Sequence, residues 1–251
     1  MKARRTLLAR AYILHALPYR DTSRILEVFT REQGRVSVFA RGVRGPKARL
    51  ASLLQPFQPL LISFSARAEA AQLMSAESDA GGPQHSLPPA ALLSGFYLNE
   101  LLLKLTTRHD PNVSLFDAYQ RTLQALAAGG PQEPALRSFE LHLLQEVGYG
   151  VDLTQTVAGG PVTAQGYYHF RPADGLFATS AEHSGALPGS SLLSLAAGRL
   201  KEARELADAR KLLSAALEHC LEGRPIVTRA VARACVGTAL VPDPPAATSK
   251  A

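Results

Sequence analysis

Residues 23–41, SRILEVFTREQGRVSVFAR, contain two runs of alternating apolar and polar side chains joined by a short polar segment. A period of two is typical of β-strands, because successive side chains point to opposite faces of a sheet. Between the runs, Gln33-Gly34 predicts a tight reversal of the chain. Residues 23–30 and 35–41 are therefore predicted to be two consecutive strands.

Runs on both sides of this pair predict a five-stranded β-domain. Residues 8–17 predict the strand before it, and Pro18 to Asp21 a turn. Residues 57–65 and 69–76 predict two strands after it, and residues 47–54 one or two helical turns. Five short strands with a small helix between the third and fourth match the OB-fold barrel. A β-sandwich fragment and an SH3-like barrel are alternatives for the same pattern.

The composition changes after this β-domain. Residues 78–90, SDAGGPQHSLPPA, are rich in Gly, Pro and Ser and predict a domain boundary. Apolar spacing then predicts helices at 90–107, 114–127, 134–147, 190–201, 203–222 and 226–236. We therefore predict an α+β chain: a five-stranded OB-fold nucleic-acid-binding domain over 1–80, a linker over 81–90, a mainly α-helical domain over 91–240 with a small β-hairpin insertion near 157–189, and a disordered tail over 241–251.

Positive charge is concentrated at the start of the chain. Residues 1–50 hold twelve Lys or Arg and three acidic residues, whereas the remaining 201 residues hold fifteen and eighteen. Such asymmetry favours a polyanionic partner, either nucleic acid or an anionic membrane surface. No apolar run approaches the ~18–20 residues that span a bilayer. We expect a soluble, cytoplasmic protein that binds nucleic acid and no membrane.

The third predicted strand separates apolar side chains from basic and aromatic ones. Val36 and Val38 point to one face, and Arg35, Phe39 and Arg41 to the other. An aromatic ring beside guanidinium groups suits single-stranded nucleic acid, because bases stack on rings while cations follow phosphates. In the alternative, Phe39 packs against another element and the arginines are only solvated. The predicted nucleic-acid-binding residues are Arg20, Arg24, Arg35, Phe39, Arg41, Arg44, Lys47 and Arg49.

Catalytic and metal-binding motifs are not found. The seven histidines are scattered, and the sequence contains no HExxH, Walker, GxGxxG or GxSxG motif. Cys220 and Cys235 lie in apolar, helix-like sequence, which is typical of buried thiols in a reducing compartment. We predict neither an enzyme nor a bound cofactor or metal.

Several motifs together resemble the RecO recombination mediators of bacteria. They are LHALPYRDTS at 14–23, RGVR at 41–44 with LLQPF at 53–57, YLNELL at 97–102, EPALRSFE at 133–140 and GYG at 148–150. Their order and spacing match over residues 10–150, and the C-terminal helices match loosely. Some RecO proteins carry a four-cysteine zinc module after the GYG segment. Residues 151–189 contain no cysteine here, so that module cannot form.

The resemblance implies a DNA repair and recombination function at the bacterial nucleoid. It implies binding of single- and double-stranded DNA, annealing of complementary strands, and partnership with RecR and the acidic C-terminal tail of single-stranded DNA-binding protein, so that RecA can be loaded. An RNA-binding or ribosome-associated OB-fold protein is the alternative.

In this family the acidic tail is held on the helical domain. Arg137 is the matching basic position, and Leu136 and Leu141 beside it could supply apolar contacts. In the alternative, Arg137 is a helix-surface residue paired with Glu140 or Glu133.

Overall fold

The first part of the chain forms a closed β-barrel. The computed structural model describes residues 4–43, 50–67, 70–82 and 86–239. The barrel strands are β1 (Arg4–Tyr19), β2 (Ser23–Thr30), β3 (Gly34–Ala40), β4 (Leu60–Arg67) and β5 (Ala70–Ser78). They close in the order β1-β2-β3-β5-β4, with β3 and β5 parallel and the other pairs antiparallel. This order confirms the predicted five-stranded OB-like barrel.

The alternation along β3 determines which side chains fill the barrel. Val36, Val38 and Ala40 are at most 2% exposed, whereas Ser37 and Phe39 between them are half-buried. The inward side chains pack with Ile13 and other apolar residues of the remaining strands into one barrel core. The outward side chains of the same strands are therefore left for other contacts.

The second part of the chain is mainly helical, as predicted. Its helices are α1 (Pro89–Leu105), α2 (Val113–Ala127), α3 (Gln132–Glu146), α4 (Gly189–Ala196), α5 (Ala203–Leu221) and α6 (Val227–Ala239). Between α3 and α4, β6 (Tyr167–Arg171) and β7 (Gly175–Thr179) form the predicted hairpin, and the two-residue strand β8 (Leu187–Pro188) extends it. Local signals start two of the helices. The Asn112 side chain accepts a 2.8 Å hydrogen bond from the Leu115 amide, and Glu202 with Glu205 forms a capping box.

The outer face of the barrel packs on the helices at one end of its strands. Tyr12 of β1 and Phe29 of β2 are each 1% exposed and belong to the helical core rather than to the barrel core. The Tyr12 and Phe116 ring centroids are 5.5 Å apart, and those of Phe29 and Tyr119 are 6.1 Å apart. Aromatic packing of this kind gives a close-packed, well-defined junction between the two parts.

Ion pairs surround this apolar junction. Glu27 of β2, 8% exposed, pairs with Arg35 of β3 at 3.6 Å and with Arg108 just after α1. Arg35 also donates to the Thr106 carbonyl at 2.8 Å. Nearby, Arg31 donates from two nitrogens to the Asp117 carboxylate, at 3.0 Å each. Bidentate and partly buried pairs of this kind restrain orientation as well as distance.

Two local predictions need correction or lie outside the described residues. The turn predicted at 18–21 begins later, because β1 continues to Tyr19, which pairs with Ser23. Of the helical turns predicted at 47–54, residues 47–49 are outside the described residues, and residues 50–53 form a turn. The predicted tail at 241–251 is also outside them. Among the described residues, none of the helices has the length and apolarity to cross a membrane.

Candidate nucleic-acid interface

Two aromatic rings lie together on the outer barrel face, at the end of the strands opposite the helical junction. Tyr19 of β1 and Phe39 of β3 meet edge to face, with ring centroids 5.3 Å apart and planes at 90°. Tyr19 is 38% exposed and Phe39 is half-buried. Phe39 is therefore neither a barrel-core residue nor an isolated surface ring.

An arginine side chain lies beside each of these two rings. The guanidinium carbon of Arg20 is 5.4 Å from the centroid of Tyr19, and that of Arg41 is 5.5 Å from the centroid of Phe39. Both arginines are exposed. Cations at this distance are attracted to the π-face and remain near the ring, where they can also contact an anion.

Apolar side chains complete this surface. In the strand register, Leu17 of β1 and Phe39 of β3 both stand opposite Ile25 of β2, so the three form one row across the sheet. Leu17 is 50% exposed. We call the surface formed by Leu17, Tyr19, Arg20, Ile25, Phe39 and Arg41 the aromatic–arginine face. An exposed apolar patch with cations at its edges is typical of a binding surface.

This face has the chemistry for single-stranded nucleic acid. Bases stack on aromatic rings whatever their sequence, while guanidinium groups contact the phosphates on either side. Nothing in the face resembles a helix or ribbon shaped to read base edges in a major groove. The arrangement therefore suits binding that is independent of sequence.

The structure brings together three of the predicted nucleic-acid-binding residues and separates two. Arg20, Phe39 and Arg41 lie on the face. Arg24 stands opposite the completely buried Ala40, so it has the register of the inward positions, at the end of the barrel. The placement of Arg35 on an exposed face was wrong, because its side chain is 13% exposed and is held at the junction. Arg44, Lys47 and Arg49 lie outside the described residues.

Sequence reasoning missed Tyr19, the second ring of the face, and also Leu17 and Ile25. Tyr19 was assigned to a turn, where strand alternation does not apply. Because β1 extends to Tyr19, the side chain has the same outward register as Leu17. Strict alternation from the inward Ile13 would place Tyr19 inward, so the register shift between Ile13 and His15 concealed its outward position from the sequence.

The positive charge of the first fifty residues is partly compensated within the molecule. Arg10 pairs with Asp79 at 3.4 Å, Arg31 with Asp117 and Arg35 with Glu27. The charge that remains for an external polyanion is therefore smaller than the sequence total indicates.

A second candidate site lies in the helical domain, between α1, α3 and α6. A cavity of about 250 Å³ is lined by Tyr97, Leu136, Arg137 and Arg229, among others. We call it the Arg137 cavity. Leu141 is not in its lining and is buried in the helical core, so the prediction that it contributes to the site is not supported by its position.

Arg137 is buried rather than exposed on the helix surface. Its side chain is 8% exposed and pairs with Glu140 at 2.8 Å, which agrees with one predicted pairing. Its Nε and Nη1 groups have no hydrogen-bond partner among the described residues. Buried unpaired donors on a cation are costly, and an anionic ligand group entering the cavity would satisfy them.

Glu140 has two guanidinium groups close to its single carboxyl group, those of Arg137 and Arg229. It is completely buried and accepts a 2.6 Å hydrogen bond from the Tyr97 hydroxyl. Arg229 donates to the same hydroxyl at 2.9 Å and lies 4.0 Å from Glu140. Burial raises the pKa of Glu140, although the Arg137 guanidinium opposes the shift. Two guanidinium groups beside one carboxyl leave the cavity attractive to an anion.

Comparison with known proteins identifies the family. The family described as "Recombination protein O N terminal" matches residues 1–78, and "Recombination protein O C terminal" matches residues 89–230. The chain belongs to the RecO family of DNA repair proteins. It is 41% identical to the DNA repair protein RecO of Azoarcus sp. (strain BH72) over 227 residues, 88% of this chain and 93% of that protein. It is also 41% identical to the RecO of Methylococcus capsulatus over 230 residues, covering 91% and 94%. The match to the RecO family therefore includes both the barrel and the helical domain.

Proposed function

We propose that this RecO-family protein is a recombination mediator that binds single- and double-stranded DNA, anneals complementary strands and helps to load RecA onto single strands covered by single-stranded DNA-binding protein. The observation that carries the proposal is the aromatic–arginine face. Tyr19 and Phe39 lie together, each with a guanidinium group beside its ring. The rings can stack with the unstacked bases of a single strand, and the guanidinium groups can contact its phosphates.

Annealing on such a face requires no covalent chemistry. Base pairing supplies the free energy, and the main obstacle is repulsion between the phosphates of two strands. Cations such as Arg20 and Arg41 reduce that repulsion, and loss of condensed counterions favours binding. Arg44, Lys47 and Arg49, which lie outside the described residues, are proposed to contribute positive charge to duplex binding.

The Arg137 cavity is the proposed site for the acidic tail of single-stranded DNA-binding protein. A carboxylate of the tail would accept from the unpaired nitrogens of Arg137, and an apolar side chain would contact Leu136. Binding there would place the mediator on covered single strands while the barrel remains available for DNA. RecR is a further proposed partner, to which we assign no surface.

The test of the DNA-binding proposal is annealing of complementary oligonucleotides, each covered with single-stranded DNA-binding protein. The wild-type chain is expected to accelerate annealing. The double variant Tyr19→Ala, Phe39→Ala is expected to lose most of that effect, since a stacked base is worth about 1–3 kcal/mol. Tyr149→Ala is the matched control, because Tyr149 is a 46% exposed ring of the helical domain.

Two results would contradict the proposal. Equal acceleration by wild type and the double variant would show that the face takes no part in annealing. A strong preference for RNA over DNA in competition would favour an RNA-binding function instead.

The cavity is tested with a fluorescent acidic peptide. Arg137→Ala is expected to weaken peptide binding by about 1.5–3 kcal/mol and to leave binding of naked DNA nearly unchanged. Because Glu140 then loses its partner, the variant's stability is measured as well. Ala232→Phe fills the cavity without changing any charge and should also weaken the peptide. Unchanged affinity in both folded variants would remove the cavity from the site.

A further inference from the structure

The hairpin of the helical domain has an outer face that also combines aromatic rings with cations. Tyr168 and Phe170 of β6 are at most 8% exposed and belong to the helical core. Because side chains alternate along a strand, His169 and Arg171 face the other way. Phe177 of β7 stands directly opposite His169 and therefore lies on the same outer face.

Cationic groups lie beside these outward rings. The guanidinium carbon of Arg171 is 4.6 Å from the centroid of Phe177, closer than either guanidinium group of the aromatic–arginine face is to its ring. The rings of His169 and His183 have their centroids 4.6 Å apart. We call this surface the hairpin face, and its members are Tyr167, His169, Arg171, Phe177, His183 and Lys211.

Within the described part of the chain, the two permanently charged groups of the hairpin face have no carboxylate partner. Arg171 and Lys211 are exposed and form no ion pair there, whereas three arginines of the barrel do. Lys211 Nζ and His169 Nδ1 lie 3.5 and 3.9 Å from the position that a Cβ atom at Gly185 would take. Burial lowers the pKa of His169, and the nearby His183, Arg171 and Lys211 lower it further. A bound phosphate would reduce the repulsion among these groups.

We propose that the hairpin face is a second site for single-stranded DNA, on which the protein holds one of the two strands that it anneals while the aromatic–arginine face holds the other. The inference rests on the proposed function, since it assumes that the barrel binds the first strand. A chain that holds both strands raises the effective concentration of each strand for the other. Annealing could then proceed without covalent chemistry.

The spacing of the outward side chains suits an extended single strand. Tyr167 and His169 are two residues apart on β6, so their side chains are ~6.5–7 Å apart along the strand. His169 and Phe177 are directly opposite each other, which brings their Cβ atoms to within ~4.5–5.5 Å. Bases would stack on these rings while Arg171 and Lys211 contact phosphates. An acidic peptide, in contrast, would need the cations but not the rings.

The experiment counts how many short, non-complementary single strands one chain binds. The labelled strands are about eight nucleotides long, within the ~4–16 that one OB-fold covers. Wild type is expected to bind two strands per chain. The double variant Arg171→Gln, Lys211→Gln is expected to bind one strand tightly and to anneal complementary strands more slowly. The slope of log affinity against log salt for its second strand should decrease by about 1.4.

Two further variants separate stacking and net charge from this site. Phe177→Leu keeps an apolar side chain but removes the ring, so it should weaken the second strand about fivefold or more and leave the first unchanged. The matched control is Arg121→Gln, Arg233→Gln, which removes the same charge from exposed arginines of α2 and α6 outside both faces. It is expected to keep two strands per chain. Circular dichroism checks that each variant is folded.

The outcomes separate the inference from the proposed function. If wild type binds one strand and Tyr19→Ala, Phe39→Ala abolishes it, the aromatic–arginine face stands and the second site is refuted. Equal losses in Arg171→Gln, Lys211→Gln and in its control would show that net charge alone attracts the DNA, which also overturns the inference. If the charge variant loses the second strand but Phe177→Leu does not, the face binds anions without stacking, and a site for single strands is wrong. If the barrel variant still binds two strands, the proposed function of the barrel is wrong, and so is the pairing of the two faces.

Discussion

Gly34 allows a test of how tightly the barrel is held against the helical domain. It begins β3 with a φ of +66°, and a Cβ atom there would lie 2.2 Å from the Asp110 carbonyl oxygen and 2.5 Å from its carbon. Asp110 is in the segment after α1, and its atoms near Gly34 are backbone atoms. Gly42 has nearly the same φ, +65°, but a Cβ there would meet no atom within 4 Å. Comparing Gly34→Ala with Gly42→Ala therefore separates the energetic cost of the backbone conformation from the cost of the close approach to Asp110.

The expected magnitudes follow from this difference. A left-handed conformation costs a residue with a Cβ about 1–2 kcal/mol, so Gly42→Ala should lose about that much stability. Gly34→Ala carries the same cost plus the displacement of the Asp110 backbone, for which overpacking of ~1–3 kcal/mol is typical. The total expected for Gly34→Ala is about 2–5 kcal/mol.

The assay is equilibrium unfolding in urea, followed by circular dichroism, for wild type and both variants. Gly34→Ala is expected to have a clearly lower free energy of unfolding than Gly42→Ala. Equal losses in the two variants would refute the close approach, and with it the rigid junction between barrel and helices.

Two further predictions concern ion pairs, and one concerns metal. Glu27→Gln should cost about 3–5 kcal/mol of stability because the buried Arg35 loses its charged partner and keeps only the Thr106 carbonyl, whereas Arg108→Ala should cost about 0–1 kcal/mol because Arg108 is 53% exposed; equal losses in urea unfolding would contradict this. Burial alone would raise the pKa of Glu100, but its hydrogen bonds from Lys104 and the start of α6 lower that pKa to about 2. A lowered pKa stabilises the fold above the unfolded value and is lost on acidification, so the stability difference between wild type and Glu100→Gln should shrink from about pH 5 to about pH 2, and a constant difference would exclude this role of Glu100. Elemental analysis should find no stoichiometric zinc, and one tightly bound zinc per chain would show that expectation to be wrong.

The barrel could be predicted because its signal is local. Alternation along 35–41 separates inward from outward side chains without any knowledge of the partner strands, and the structure has that pattern. The helical domain followed in the same way from apolar spacing and from the change in composition near residue 80. The alternation of the strands and the apolar spacing of the helices can each be recognised within a short stretch of sequence.

The site was only partly predictable, because it depends on what covers each outward position. Arg35 and Phe39 have the same register, but the helical domain packs over one end of the strand and leaves the other exposed. Alternation cannot distinguish the two ends. Likewise, Arg137 was identified through a motif, whereas its neighbour Arg229 comes from a helix about ninety residues later and carried no signal of its own.

The central claim is that the aromatic–arginine face binds DNA, and the salt dependence of binding tests it most directly. The affinity for a labelled single-stranded oligonucleotide is measured over a range of salt concentrations for wild type and for the double variant Arg20→Ala, Arg41→Ala. If each arginine contacts one phosphate, the slope of log affinity against log salt should decrease by about 1.4. An unchanged affinity and slope in the folded variant would contradict the claim that this face contacts the DNA.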